Sequence, residues 1–289
     1  LAFSFFVGHR LGAEGIGVMA AVLALSWIGG TLSGLGLPDR ALFRGAAEDR
    51  DAENRRLHGF FLCAVALMHA ALWCFASTLA GLDDPVQTTF ARGLIVGAGL
   101  QCASALGLGW LRGATAVNYE VLATIASSVT LIVGALLGIS LGVVWAISGL
   151  CFLMGSIIGN VRMSGILPNL PLWTDIESAF RSGIPYLLLG LGSWMVGNID
   201  IVLGRLFHEP ADLGVLQVGT MAIRGLGVLP WVAATLMLRH LHEEWKKGGH
   251  PHPWTWLRNA CSVGVLVAAL AWVLMPFLAQ GHAIPISSI

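Results

Sequence analysis

Two charged residues fall inside apolar stretches of the sequence where long helices are expected. Asp200 lies about six residues before the outer end of one stretch, a depth of about 9 Å at 1.5 Å per residue. Arg224 lies near the middle of the next stretch, followed by Gly225 and Gly227. In a bilayer an unpaired charge costs on the order of 3 kcal/mol, so both side chains should face a partner or a wet cavity. The planar guanidinium of Arg224 could bind the oxygens of a diphosphate there.

Each of these charges also has a structural explanation. Asp200 could be an interface residue that is hydrogen-bonded to Asn198 or reached by Arg205. Arg224 could form an ion pair with Asp200, because buried charges are normally paired. An ion pair that opens when a diphosphate competes for the arginine would combine both roles. Arg224, Asp200 and Asn198 are therefore candidates for a substrate-binding cavity.

His69 and Gln101 are further polar residues in the middle of apolar stretches. A lone polar side chain on an apolar helix is more often an interhelical hydrogen-bond donor than a ligand. Both residues stay cavity candidates, although the structural interpretation is favoured. A run over residues 239–256 contains four histidines, His240, His242, His250 and His252. Their spacing fits no set of metal ligands, so we expect no metal site and no catalytic residues.

The elements that carry these residues are expected to be membrane helices. Of the 289 residues, 56% are hydrophobic and 11% charged, and the mean hydropathy is +0.78. These values lie outside the usual range of soluble domains. Basic and acidic residues number 16 each, so charge indicates no nucleic-acid partner. The five cysteines lie in apolar runs without a C-x-x-C pair, which favours neither disulfides nor zinc.

Eight stretches reach the roughly 20 apolar residues that a spanning helix needs. They cover about 16–37, 59–81, 89–111, 121–140, 143–161, 184–206, 213–237 and 259–279. A stub over residues 1–9 makes about nine. Period-2 alternation is absent, and open sheet edges cannot be satisfied in hydrocarbon, so an all-α integral membrane fold is expected. Because Leu1 and Ile289 both adjoin apolar runs, we expect the chain to be a fragment.

The basic residues predict the orientation of the chain. If the stub runs outward, twelve of the sixteen lie on the cytoplasmic side, one lies inside a helix, and three lie outside, Arg10, Arg92 and Arg205. Basic loops stay on the cytoplasmic side. The longest polar connection, residues 161–185, would then be cytoplasmic. Its capping box from Thr174 to Glu177 predicts a short surface helix leading into the next span.

Two stretches of the sequence repeat one pattern. Residues 8–22 and 204–219 share Arg-Leu, then an acidic turn, then a small-residue step into Gly17-Val18 or Gly214-Val215. Six expected spans separate the copies. An even number returns the chain to the same orientation, so two parallel-repeat helical lobes are expected.

These pieces, in order, resemble the polysaccharide-transporter branch of the multidrug/oligosaccharidyl-lipid/polysaccharide flippase superfamily, which contains O-antigen and capsule-unit flippases. The similar stretches are R-L-G-x-E-G-x-G over 10–17, the basic stretch over 36–44 that ends the second expected helix, S-G-I-P over 182–185, and N-I-D-x-x-L-G-R over 198–205. The turn over 207–214 is more acidic than the family pattern and contains a histidine.

The resemblance implies a truncated flippase of twelve to fourteen helices, with two six-helix lobes around a central cavity. Residues 1–161 would be the N-terminal lobe with a truncated first helix, 162–183 a cytoplasmic linker, and 184–289 the incomplete C-terminal lobe. The expected function is transfer of undecaprenyl-diphosphate-linked oligosaccharides across the bacterial inner membrane by alternating access, for surface polysaccharide assembly. The partners would be that lipid-linked substrate, the bilayer and glycan polymerase or assembly proteins. No cofactor is expected, and the coupling ion, H⁺ or Na⁺, is left open.

Two alternatives remain. A drug or cation exporter of the same superfamily would favour several intramembrane acids, whereas Asp200 is the only one expected here. A membrane-embedded transferase or polymerase of envelope glycans would be expected to carry acidic catalytic pairs or a large soluble loop, and the sequence shows neither.

Overall fold

A computed structural model describes residues 2–44, 52–76, 84–113, 118–164, 173–218 and isolated positions beyond 218. Almost all of these residues are helical, and none of them forms a β-strand. The helices are α1 (Ala2–Gly34), α2 (Leu37–Arg44), α3 (Ala52–Cys74), α4 (Pro85–Gly113), α5 (Asn118–Leu136), α6 (Leu141–Ser164) and α7 (Trp173–Phe207). A further helical segment covers 210–218. The expected all-α fold is confirmed.

Five of these helices are long and apolar enough to cross a membrane. The spans are Phe6–Gly34, Arg56–Cys74, Pro85–Leu111, Asn118–Leu136 and Leu141–Arg162. They correspond to the five stretches predicted from 16–37 to 143–161, and they are the helices of a multi-pass membrane protein. The stretches 213–237 and 259–279 lie almost wholly outside the described residues. The count of nine, the orientation and the lobe boundaries therefore remain predictions.

The structure describes two of the expected junctions. The stub over 1–9 and the stretch 16–37 lie on either side of a kink in α1 at Gly12, whose φ of 68° and ψ of −166° are not helical, so α1 joins two helical pieces there. The expected linker helix is continuous with the next stretch, since α7 begins at Trp173 and passes through Pro185. Within α7, Gly183–Gly192 is a short apolar stretch.

α1 and α4 form the centre of the described helices. In their spans 67% and 61% of the most apolar window is buried by protein, against 22–33% for the other three spans. The apolar side chains on the outward face of α5, including Val121, Leu122, Ile125 and Val129, are exposed. Among the described helices α5 therefore lies at the periphery, as a helix that faces lipid does.

α4 and α6 approach closely because glycines line their contact. A Cβ at Gly93 would lie 2.5 Å from the carbonyl carbon of Gly142, and one at Gly97 would lie 2.8 Å from that of Trp145. A Cβ at Gly149 would in turn run into the carbonyl oxygen of Gly97. This is the small-xxx-small packing by which membrane helices bring their backbones together.

Arg10 fixes the bend of α1 to the end of α5. Its guanidinium donates hydrogen bonds to the carbonyl oxygens of Ala135 and Ile139. Those carbonyls belong to the last turn of α5 and the residues after it, where a helix leaves acceptors free and favours a cation. Arg10, the arginine of the first copy of the repeated pattern, therefore caps the C-terminal end of α5.

We expect Arg10→Ala to lower the free energy of unfolding by about 1–2 kcal/mol, because its charge-assisted hydrogen bonds to the end of α5 are lost. Thermal unfolding of the detergent-solubilised protein would show this as a reduced Tm. The Tm of Arg10→Lys should lie between those of the unmodified protein and Arg10→Ala, since one ammonium group does not reproduce the contact of a guanidinium with two carbonyl oxygens. An unchanged Tm in Arg10→Ala would show that this cap does not stabilise the fold.

Candidate functional site

The contact between α1 and α7 joins the first half of the chain to the second. In this contact Ala20 and Ala24 of α1 pack against Ile201 of α7, and all three are buried. Trp194 and Val202 pack around them. The small alanines let the helices approach, as is usual between membrane helices. We call this contact, with its glycine-lined ends described next, the α1–α7 seam.

The two copies of the repeated sequence meet at one end of the seam, which we name the outer end after the predicted orientation, the opposite end being the inner end. A Cβ at Gly17 would run into the carbonyl oxygen of Pro210 and lie 3.0 Å from the amide nitrogen of Gly214. A Cβ at Gly214 would run into the carbonyl oxygen of Ala13. Gly17 and Gly214 are equivalent in the repeat, as are Ala13 and Pro210, each four residues earlier. The contact is therefore reciprocal, as in an isologous interface.

The inner end of the seam is a second close backbone contact. Leu35 and Gly36, between α1 and α2, both have positive φ. A Cβ at Gly36 would lie 2.6 Å from the carbonyl oxygen of Gly183, and one at Gly183 would run into the carbonyl oxygen of Leu35. Only glycine combines this left-handed backbone with such an approach at low cost.

Asp200 and Asn198 lie on α7 next to Ile201 of the seam. Asn198 is half-buried, and its side-chain amide donates a hydrogen bond of 3.2 Å to the carbonyl oxygen of Trp194. Asp200 is also half-buried and engaged in a contact of its own. One turn later, Gly204 packs against Leu213, so the Asp200 side of α7 faces the helical segment 210–218.

The other predicted site residues are not gathered at this place. His69 is buried against Gly30 and Gly99, on a face of α1 other than the one that meets α7. Gln101 is half-buried in α4. Arg224 and the histidines His240, His242, His250 and His252 lie outside the described residues. The structure thus brings together two of the five cavity candidates.

Three buried polar groups were not singled out by the sequence. Ser26 is fully buried, and its hydroxyl has no hydrogen-bond partner among the described residues. The same holds for the indole N–H of Trp194. Gln217 is buried in the segment 210–218. In the sequence, Ser26 and Gln217 each interrupt an apolar run, and that interruption could have identified them as candidates.

No family model matches the chain, and no curated protein and no solved structure matches it.

Proposed function

We propose that the protein is a flippase that moves undecaprenyl-diphosphate-linked oligosaccharides across the bacterial inner membrane for surface polysaccharide assembly. The observation that carries the proposal is the reciprocal contact of Gly17 and Gly214 at the outer end of the seam. It relates the two copies of the repeat by a local twofold, which supports two parallel lobes about an axis along the membrane normal.

The proposed substrate path lies between the lobes. Asp200 and Asn198 stand beside the seam, on the helix that precedes the stretch carrying Arg224. In this proposal the guanidinium of Arg224 binds the diphosphate, and Asp200 pairs with Arg224 when no substrate is present. The oligosaccharide crosses while the seam opens at one end and stays closed at the other.

Arg224→Ala and Asp200→Ala should impair transport without abolishing insertion. Loss of a hydrogen bond to a charged group costs about 1.5–3 kcal/mol, so surface glycan should fall by about tenfold or more. Complementation of a flippase-deficient strain at matched expression measures this.

Two exposed residues provide matched controls for this experiment. Asp212 is 69% exposed in its side chain, and Arg258 is also exposed, so Asp212→Ala and Arg258→Ala should retain wild-type glycan. If Arg224→Ala and Asp200→Ala both gave the wild-type amount of surface glycan, neither residue would take part in the mechanism. Failure of the unmodified protein to restore glycan, with a gain in tolerance to cationic drugs, would identify a cation exporter instead.

A further inference from the structure

Arg92 lies two turns after the beginning of α4, at the outer end of the described helices. Phe90, two residues before it, belongs to the same apolar core as Ile16, which lies next to the outer contact of the seam. Thr89 and Val96 share the helix face of Arg92, three residues before it and four residues after it, and both are exposed. Arg92 is itself half-buried. It therefore lies at the edge of a face of α4 that the described helices leave open.

The guanidinium of Arg92 stacks on the indole ring of Trp73 in α3. Its carbon Cζ lies 4.6 Å from the centroid of a ring that is 42% exposed. Nitrogen Nε is buried and has no hydrogen-bond partner among the described residues. The nearest acid along the chain in those residues is Asp84, whose carboxylate accepts a hydrogen bond of 2.9 Å from the amide of Val86. In the described part of the chain, the ring thus holds the guanidinium and no carboxylate balances its charge.

This arrangement leaves the terminal nitrogens of Arg92 available to a ligand. A guanidinium carries its N–H donors in a planar fork, and stacking on an aromatic face uses none of them. The fork matches two oxygens of one phosphate group, and Trp73 fixes the plane in which it lies. The chemistry that fits the site is therefore that of a phosphate.

The position of Arg92 along its helix matches the level of lipid headgroups. The span Pro85–Leu111 has 27 residues, or about 40 Å of helix, about 10 Å more than the hydrocarbon thickness. Arg92 lies about 10 Å after the beginning of this span. When the excess is shared by the two ends, its Cα lies about 5 Å inside the hydrocarbon, and an arginine side chain reaches the headgroups from that depth. Trp73, near the end of α3, is of the residue type enriched at that level.

The surface on the hydrocarbon side of this pair is apolar and exposed. Ala66 and Ala70 share a face of α3 with Trp73, and Val96 follows Arg92 on α4. A membrane lipid supplies both a phosphate for the guanidinium and an acyl chain for this surface. A zwitterionic lipid carries its own ammonium group, which competes for the phosphate, whereas an anionic lipid does not. Charge complementarity therefore favours an anionic phospholipid.

We propose that Arg92 and Trp73 form a binding site for the phosphate of an anionic phospholipid at the outer edge between α3 and α4. The phosphate oxygens accept hydrogen bonds from the terminal N–H groups of Arg92, and the indole ring holds the guanidinium in place. One acyl chain lies along Ala70 and Val96. The site goes beyond the proposed function, because it depends on neither the transported substrate nor the transport cycle.

Lipid retention and thermal stability test the site without a transport assay. The whole protein in mild detergent is mixed with phosphatidylglycerol, and the lipid that stays bound is counted by native mass spectrometry. Arg92→Gln and Trp73→Leu should each retain about tenfold less than the unmodified protein, because a charge-assisted contact or its support is lost. Arg92→Lys should be intermediate. The matched control is Arg162→Gln, which changes an exposed arginine in the last turn of α6 and should retain the normal amount.

Binding should also raise the Tm of the unmodified protein as phosphatidylglycerol is added, and raise it less in Arg92→Gln. Equal retention by Arg92→Gln and the unmodified protein would overturn the proposal. So would equal retention of phosphatidylcholine and phosphatidylglycerol, which indicates an ordinary boundary lipid. An equal rise of Tm with inorganic phosphate would identify a phosphate site that needs no lipid. If Arg92→Gln does not fold, Trp73→Phe, which keeps an aromatic face, should retain the lipid that Trp73→Leu loses, and equal retention by these two variants would refute the site.

Discussion

Gly97→Leu should leave little folded protein, because it separates α4 from α6. A Cβ at Gly97 would already lie 2.5 Å from the carbonyl oxygen of Trp145, and the backbone there cannot rotate away as a side chain could. Overpacking the α4–α6 contact on this scale should lower the free energy of unfolding by about 3 kcal/mol or more. The fraction that elutes as a single species in mild detergent, and its Tm, would both fall.

Gly192→Leu is the matched control for this experiment. Gly192 is also a glycine within a long helix, but a Cβ there meets no atom within 4 Å among the described residues. The control should insert and elute like the unmodified protein, since a helical glycine tolerates a side chain in open space. Equal yields from Gly97→Leu and Gly192→Leu would show that the α4–α6 contact does not decide folding.

If the proposed function is correct, Gly17→Leu should abolish most transport while the protein still folds, because opening of the outer end relieves the clash with the segment 210–218. The side chain would hold Ala13 and Gly17 away from the segment 210–218, so the outer end of the seam could not close. A penalty of about 1–3 kcal/mol on the closed state lowers its population by roughly 5- to 150-fold. Flipping in proteoliposomes measures the loss, and elution in detergent verifies the fold.

The reciprocity of the contact adds a stricter test. Gly214→Leu should cause the same loss as Gly17→Leu, because each glycine meets the backbone four residues before the other. Gly192→Leu should flip lipid at the normal rate. Unequal losses from Gly17→Leu and Gly214→Leu would contradict the local twofold, and normal flipping in both would mean that this end need not close.

The lengths of apolar runs predicted the helices but not how they pair. Runs such as 89–111 are apolar on every side, so periodicity does not indicate which face meets which neighbour. Glycine spacing carried more information: Gly93 and Gly97, four residues apart, lie on one helix face and mark the contact with α6. The continuity of α7 through Pro185 was not predictable, because proline more often ends a helix.

The candidate site was predicted unevenly for a related reason. Asp200 and Asn198 stand out because a charge or amide is costly in hydrocarbon, and both lie beside the seam. Ser26 has no such prominence, since a serine in a membrane helix can bond its own backbone. Its full burial, and the lack of a hydrogen-bond partner for its hydroxyl among the described residues, are visible only in the tertiary structure.

The two ends of the α1–α7 seam are separated by the thickness of a membrane. From Gly17 to Gly36 is 19 residues, or about 28 Å along a helix, close to the roughly 30 Å of bilayer hydrocarbon. Each backbone contact thus lies near one water interface. In the proposed alternating access, a tilt of α1 about the inner contact would open the outer contact, and the reverse tilt would open the inner contact.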